Sequence, residues 1–258
     1  MDWQLPKIRP RMFLVWRRNL LVWYKLLVPS LLLNFGEPVL YLLGLGLGLG
    51  RFVGDMAGMP YLTFLATGLL ASSVMNTSTF EGLFSVYTRM VPQRTYEGIL
   101  ATPIEVDDIV AGEMIWCASK GTFSSSAILV VATLLGAINH WQAVLCIPLF
   151  LLVGLCFASM AIMVSSFSQS YDYFSYYITL ILTPMFIFCG VFYPVTTLPE
   201  AVQPVLSLLP LSHAIALIRP LATGTMPQDI ILHISVLASF TITGFYLAVI
   251  LVRRRLIK

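Results

Sequence analysis

Long apolar runs broken by short polar turns fill this sequence, and their spacing predicts an all-α membrane protein with six transmembrane helices. The runs cover residues 26–50, 61–84, about 123–138, 143–167, 173–193 and 230–252. Residues 51–60, 139–142 and 168–172 form polar turns between them, and Arg253, Arg254 and Arg255 stop the last. Two longer segments, 89–120 and 194–227, interrupt the rhythm. The chain therefore reads as an interfacial helix (1–25) followed by a single six-span domain (26–258).

Residues 1–25 carry too many charges to span. On a helical wheel Met12, Phe13, Trp16, Leu20, Trp23 and Tyr24 share a face opposite Arg11, Arg18 and Lys25. That pattern predicts an amphipathic helix lying on an anionic membrane surface, in contact with membrane lipids. Leu14, Leu21 and Val22 blur it, so packing against protein fits as well. The stretch lacks the short apolar core and small-residue cleavage site of a signal peptide.

Residues 89–120 hold Arg89, Arg94, Glu97, Glu105, Asp107, Asp108, Glu113 and Lys120. Each such charge costs roughly 2.5–3.5 kcal/mol at the centre of a span on insertion scales, so the segment is expected to face water. Thr95 is the expected N-cap of a short helix beginning at Tyr96 and ended by Pro103. Thr102, Pro103 and Glu105 then fit a capping box at N-cap, N1 and N3 of a second helix, with Asp107 and Asp108 in its early turns. A short helix with a hinge is a lever for a soluble partner. Tyr96 and Leu100 lie four apart and suit a shallow groove, Glu97 is placed to pair with a partner base, and Gly98 permits close approach. An ordinary connecting loop fits the spacing equally well.

Residues 194–227 contain Pro194, Pro199, Pro204, Pro210, Pro220 and Pro227, separated by apolar pieces too short to span. They predict re-entrant or interfacial half-helices between spans five and six.

Two carboxylates inside the apolar runs are candidate intramembrane polar sites. Glu37, in Asn34-Phe35-Gly36-Glu37-Pro38, lies about 18 Å beyond Lys25 at ~1.5 Å per residue, near mid-bilayer. Such a residue is a functional candidate by default. A protonated Glu37 bonded to the carbonyl freed by Pro38, or to a neighbouring helix, is the packing alternative. Glu81 sits near the end of the second span, about two turns before Arg89, where pairing with that base is expected. Gly44, Gly46, Gly48 and Gly50 contain overlapping GxxxG spacings suited to close helix packing.

Composition agrees with the pattern. Hydrophobic residues make up 58% against 10% charged, and mean hydropathy is +0.87, which excludes an ordinary soluble domain. The net charge of +3 is too small to imply nucleic acid, but its placement is informative. Six spans put both termini on one side, and only Arg51 and Arg219 of the 15 Lys and Arg residues then fall on the other. By the positive-inside rule the termini and 89–120 are cytoplasmic and 194–227 is external. Cys117, Cys146, Cys156 and Cys189 form no CxxC, so neither a disulfide framework nor a zinc site is expected.

The chain contains no GxxxxGK[ST], GxSxG or HExxH, so it has no P-loop for ATP and no standard hydrolase motif. No catalytic residue, metal or cofactor is assigned to it. Three readings stand: a transport subunit, an intramembrane enzyme acting on a lipid-linked substrate, and an ion-coupled transporter using Glu37. Glu37 and Glu81 alone make a thin catalytic set. No obvious internal repeat favours the ion-coupled transporter.

Motifs along nearly the whole chain resemble the permeases of ABC-2 type ATP-binding-cassette exporters, in particular the nodulation-protein-J branch. They are Arg18-Asn19, the Asn34–Pro38 motif with its glycine ladder, Thr79-Phe80-Glu81, Arg94-Thr95-Tyr96-Glu97, Thr102-Pro103, Gly190-Val191-Phe192-Tyr193-Pro194 and Leu209-Pro210-Leu211-Ser212-His213. The resemblance implies an inner-membrane permease of a bacterium, exporting a lipo-oligosaccharide; drug and polysaccharide exporters share the fold. It implies a homodimer working with two ATPase subunits on a separate chain, which bind ATP and Mg. The family's coupling helix would be residues 95–101, giving Thr95, Tyr96, Glu97, Gly98, Leu100, Thr102 and Pro103 as coupling residues. The first and fifth spans would form the dimer interface, and the external half-helices would close the exit.

Overall fold

The computed structural model describes residues 5–25, 36 and 39–256. Helix α1 is Met12–Tyr24, and α2 is Val39–Val53, wound as a π-helix over Leu42–Leu49. A hairpin of β1 (Asp55–Met56) and β2 (Met59–Pro60) follows in place of the expected plain loop. Its two turn residues, Ala57 and Gly58, both have positive φ, which matches the right-handed twist of paired strands. Helix α3 starts as Tyr61–Phe80, passes through a π turn at Glu81–Ser85 and ends as Val86–Met90. The short α4 (Thr95–Leu100) leads to α5 (Val106–Leu134). A 3-10 turn, Trp141–Leu145, runs into α6 (Cys146–Phe167). Helix α7 consists of Asp172–Tyr177, a π stretch Ile178–Leu182 and Thr183–Phe188. The proline-rich segment forms a 3-10 turn (Val195–Thr197), α8 (Gln203–Leu206) and α9 (Pro210–Ala222), before α10 (Ile230–Leu256) closes the chain.

Among the described residues, three helices are long and apolar enough by themselves to cross a bilayer: Val106–Leu134, Trp141–Phe167 and Ile230–Leu256. The third apolar run therefore belongs to the second helix expected after the Thr102-Pro103 hinge, which begins at Val106 and runs unbroken to Leu134. The fifth ends at Phe188 instead of Tyr193, because Gly190 breaks it with a φ of +91°.

Helix α6 lies at the centre, packed against α10, α5 and α3. Small residues bring these backbones together. A Cβ on Gly154 would stand 2.8 Å from Ala118 Cα, so this approach of α6 to α5 requires glycine. Hydroxyls stitch α3 to α5: Ser73 Oγ and Ser124 Oγ are 3.1 Å apart, and Ser125 Oγ donates to Leu70 O at 2.7 Å. At the other end of the molecule from α4, Arg219 of α9 braces three elements. It donates to Thr67 Oγ1 (3.0 Å), Phe64 O (3.3 Å) and Gly190 O (2.7 Å), and its guanidinium lies 3.8 Å from the Phe64 ring centre.

Helix α1 lies along α5, and its packed face keeps Trp16, Leu20 and Trp23 of the wheel's face but is turned toward Val15 and Asn19. Val15 and Asn19 are buried, whereas Phe13, Leu14, Leu21, Val22 and Tyr24 are more than half exposed. Trp16 Nε1 donates to Ser119 Oγ at 3.1 Å, and Trp23 meets the rings of Trp116 and Phe123 edge-on. The helix thus packs on protein, and its outer side mixes exposed apolar residues with Arg11, Arg17 and Lys25. Gly112 sets the distance, since a Cβ there would lie 2.5 Å from Met12 O and 2.7 Å from Val15 Cβ. Gly112→Ala is expected to push α1 off α5 at a cost of about 1–3 kcal/mol, typical of overpacking. Thermal unfolding of the purified chain checks this, with Gly98→Ala as the control because a Cβ at Gly98 meets open space.

Candidate functional site

Glu81, Arg89, Glu113 and Lys120 gather where α1, α3, α4 and α5 meet. Their local spacing accounts for much of this. Glu113, Trp116 and Lys120 recur three and four residues apart, on one face of α5. Eight residues of α-helix would leave Glu81 and Arg89 about 80° apart around α3. The wider π turn at Glu81–Ser85 lies between them and reduces that offset.

The four charges form an alternating chain. Lys120 Nζ lies 2.7 Å from Glu81 Oε2, Arg89 Nη2 lies 3.4 Å from Glu81 Oε1, and Arg89 Nη2 lies 2.7 Å from Glu113 Oε2. Neutral donors complete it: Trp116 Nε1 donates to Glu81 Oε1 at 3.0 Å, and Asn19 Nδ2 donates to Glu113 Oε2 at 2.9 Å. Glu113 is 1% exposed and Glu81 7%. Ions so buried are stable only when paired and hydrogen-bonded, because each pays several kcal/mol on leaving water. The expectation that Glu81 pairs with Arg89 holds, within a larger cluster. Glu37 lies outside the described residues.

The expectation that 89–120 is water-facing needs correction. Asp107, Asp108 and Glu113 are all at most 3% exposed. Their partners come from distant parts of the chain, which no local pattern displays. Arg253 of α10 grips Asp107, with Nε donating to Oδ1 at 2.8 Å, and Lys7 N donates to Asp107 Oδ2 at 2.8 Å. Arg9 pairs with Glu105, and Arg11 donates to Pro103 O. The run of arginines that ends the last apolar stretch therefore has structural work beyond topology. Arg255 Nη1 also caps the C-terminal end of α6 through Ser165 O, Ser166 O and Ser168 O, at 3.1, 2.9 and 2.7 Å.

The caps shift as well. Helix α4 includes Thr95, and its N-cap is Arg94, in the left-handed region at φ +48°. Thr102 Oγ1 donates to Ile99 O at 2.6 Å, closing α4 instead of opening α5. The capping box is Glu105 with Asp108, whose Oδ2 accepts from Glu105 N at 3.2 Å. Three residues beyond Thr102, Glu105 brings a charged acceptor to the helix N-terminus, and Asp108 reciprocates.

Tyr96 was expected to share a partner-facing surface with Leu100. The structure turns it inward: Tyr96 is 1% exposed, and Leu100 is half-buried. The solvent-facing surface carries Glu97, Gly98, Thr102 and Pro103, with Thr95 at its edge. Burial, reinforced by the Glu113 carboxylate, pushes the Tyr96 phenol well above its usual range, so it stays neutral and able to donate. Among the described residues Tyr96 Oη and Glu113 Oε1 are both buried without a hydrogen-bond partner, and the charges of Glu113 and Arg89 both act on the phenol. Tyr96 is thus the plug that seats α4 on the ion chain.

Among the described residues no group of three or more His, Cys, Asp or Glu is placed to hold a metal ion. Helix α4 is six residues long, exposed on one side and packed on the other against the polar knot that joins α1, α3 and α5.

Comparison with known proteins gives this arrangement a family. The ABC-2 type transporter family matches residues 10–221. Nodulation protein J of Rhizobium leguminosarum bv. viciae is 44% identical over 245 residues, covering 95% of this chain and 94% of that protein. Nodulation protein J of Bradyrhizobium diazoefficiens is also 44% identical, covering 95% and 93%. Inner membrane transport permease YadH of Escherichia coli K12 is 26% identical over 230 residues, covering 89% and 88%. The chain belongs to the ABC-2 type transporter family and is a membrane permease of an ATP-binding-cassette exporter.

Proposed function

We propose that the chain is the transmembrane half of a homodimeric exporter in the bacterial inner membrane, with both termini cytoplasmic and two copies of a separate ATPase docked beneath it. Six spans, with the described half-helices α8 and α9 on the external side, fit the charge distribution along the sequence. The cargo is a lipo-oligosaccharide or similar glycolipid, a reading supported by the 44% identity to nodulation protein J. ATP and Mg belong to the partner.

The observation that carries the coupling role is the seating of α4 through Tyr96 on the Lys120–Glu81–Arg89–Glu113 chain. Closure of the ATPases on nucleotide pushes the exposed side of α4. The buried knot passes that displacement to α3, α5 and α1, and the Asp107–Arg253 pair passes it to α10. A knot of paired buried ions suits this use because it moves as a unit instead of yielding contact by contact. Arg219 holds the half-helices at the opposite end, so the exit opens when α3 and α7 shift relative to α9. Thr95, Glu97, Gly98, Leu100, Thr102 and Pro103 belong to the docking element, with Glu97 and Gly98 at its centre and Tyr96 beneath.

Gly98→Trp tests the docking role. A side chain there meets open space, so the isolated chain should unfold at an unchanged temperature. The bulky indole should abolish co-purification of the ATPase and ATP-dependent transport. A fully assembled, transporting Gly98→Trp complex would exclude α4 as the docking element.

A further inference from the structure

Beside the ion chain the protein surface opens into a cavity of about 350 Å³. Among the described residues Arg18, Arg89 and Lys120 line it, against one carboxylate, Glu81. Glu81 is already matched by Lys120 and Arg89, and Arg89 is shared with Glu113. Arg18 donates only to its neighbour Asn19 Oδ1, at 3.0 Å, and has no acidic partner among the described residues. The wall therefore holds a surplus positive charge. Arg89 Nε is buried without a hydrogen-bond partner among the described residues, and Ser85 adds a hydroxyl to the wall, while the Thr88 hydroxyl is already engaged by Phe84 O and Tyr171 Oη.

A second cavity of about 160 Å³ shares Trp23, Trp116 and Lys120 with the first. Its other walls are largely apolar: Trp16, Leu20 and Phe123. One compartment is cationic and hydroxyl-bearing, and the next is aromatic. Both are lined by α1, whose outer side exposes large apolar residues among basic ones, a combination suited to an anionic membrane surface. Buried ions within the knot cancel one another, so the unmatched Arg18 is the group that calls for a negative ligand.

We propose that the two cavities form one binding site for an anionic glycerophospholipid of the cytoplasmic leaflet. The phosphate sits beside Arg18 and the Ser85 hydroxyl, and an acyl chain lies over Trp16, Leu20 and Phe123. The lipid wedges between α1 and the α3–α5 pair, so it ties the knot to the bilayer. The inference rests on the proposed function only for the side of the membrane on which α1 lies. It needs neither the cargo nor the ATPase.

The test uses the full-length chain in a neutral detergent, titrated with phosphatidylglycerol or phosphatidylcholine carrying brominated acyl chains. Bromine quenches nearby indoles, and Trp16, Trp23 and Trp116, three of the five tryptophans, line the cavities. Phosphatidylglycerol should quench at several-fold lower concentration than phosphatidylcholine. Arg18→Gln should weaken the phosphatidylglycerol response roughly five-fold, the effect of about 1 kcal/mol per basic residue at an anionic surface, and leave phosphatidylcholine unchanged. Arg18→Lys should retain the preference. Arg17→Gln should too, because Arg17 is exposed and lies outside the cavity wall.

Equal quenching by the two lipids in the parent chain would overturn the site. Equal losses in Arg17→Gln and Arg18→Gln would also overturn it, since the preference would then be diffuse surface charge. Soluble glycerol 1-phosphate should not compete; if it does, the site takes free phosphate and the lipid assignment falls. Failure here leaves the permease reading intact, because that reading is judged by ATPase assembly and transport.

Discussion

Arg89→Met should destabilise the folded chain by about 3–5 kcal/mol, the usual consequence of stranding a buried charge. Glu113, 1% exposed, would lose its ionic partner, and Glu81 would keep only Lys120. The Asn19 amide and the Tyr96 phenol cannot supply the missing charge. The informative comparison is the double variant Arg89→Met/Glu113→Gln. It removes both charges, so it should recover much of the loss, although Gln is the weaker acceptor for Asn19. Thermal or denaturant unfolding of the purified chain measures all three variants, with Glu113→Gln as the remaining corner of the cycle. Additive losses would mean the two residues are not coupled and the knot is only an accident of packing.

The same cluster marks the limit of what the sequence makes legible. Most of the apolar runs predicted helices that the structure contains, because hydrophobic length is local information. Residues 95–100 and 106 onward were readable as helices from their prolines, acids and aromatic spacing. The direction in which Tyr96 points was not readable, because an aromatic four residues from Leu100 looks the same whether it seeks a partner's groove or its own core. Its inward turn depends on Glu113 and Arg89, 17 and seven residues away, which become neighbours only when α3 and α5 pack. Asp107 reads as an ordinary acid of a helix first turn, and Arg253 as a topology signal. Their pairing across 146 residues needs the whole fold. The Thr102 box failed for a different reason: two valid N-cap sequences overlap, and the one with two carboxylates won. The Ala57-Gly58 hairpin lacks the alternating strands that would have announced it.

Tyr96 is the contact between α4, the proposed docking helix, and the knot. Tyr96→Ala removes a fully buried aromatic, a change that costs about 3–5 kcal/mol when its site does not collapse. Helix α4 is only six residues long and stands between two separate helices, so the loss should appear as local loosening of α4 more than as global unfolding. Glu97 and Gly98 remain on the outside, so the ATPase should still dock and hydrolyse ATP. Its closure would then move a helix no longer seated on Glu113 and Arg89. Transport per ATP should fall more than ten-fold, while hydrolysis stays within about two-fold of the parent, a split of roughly 1.4 kcal/mol or more between coupling and docking. Tyr96→Phe keeps the buried ring that seats α4 and removes only the hydroxyl, so its coupling should lie between those of the parent and Tyr96→Ala. The measurement is ATP hydrolysis and cargo uptake in the same inverted vesicles. If hydrolysis and transport fall in proportion, Tyr96 supports docking and not transmission; if neither falls, force enters the membrane domain by another route.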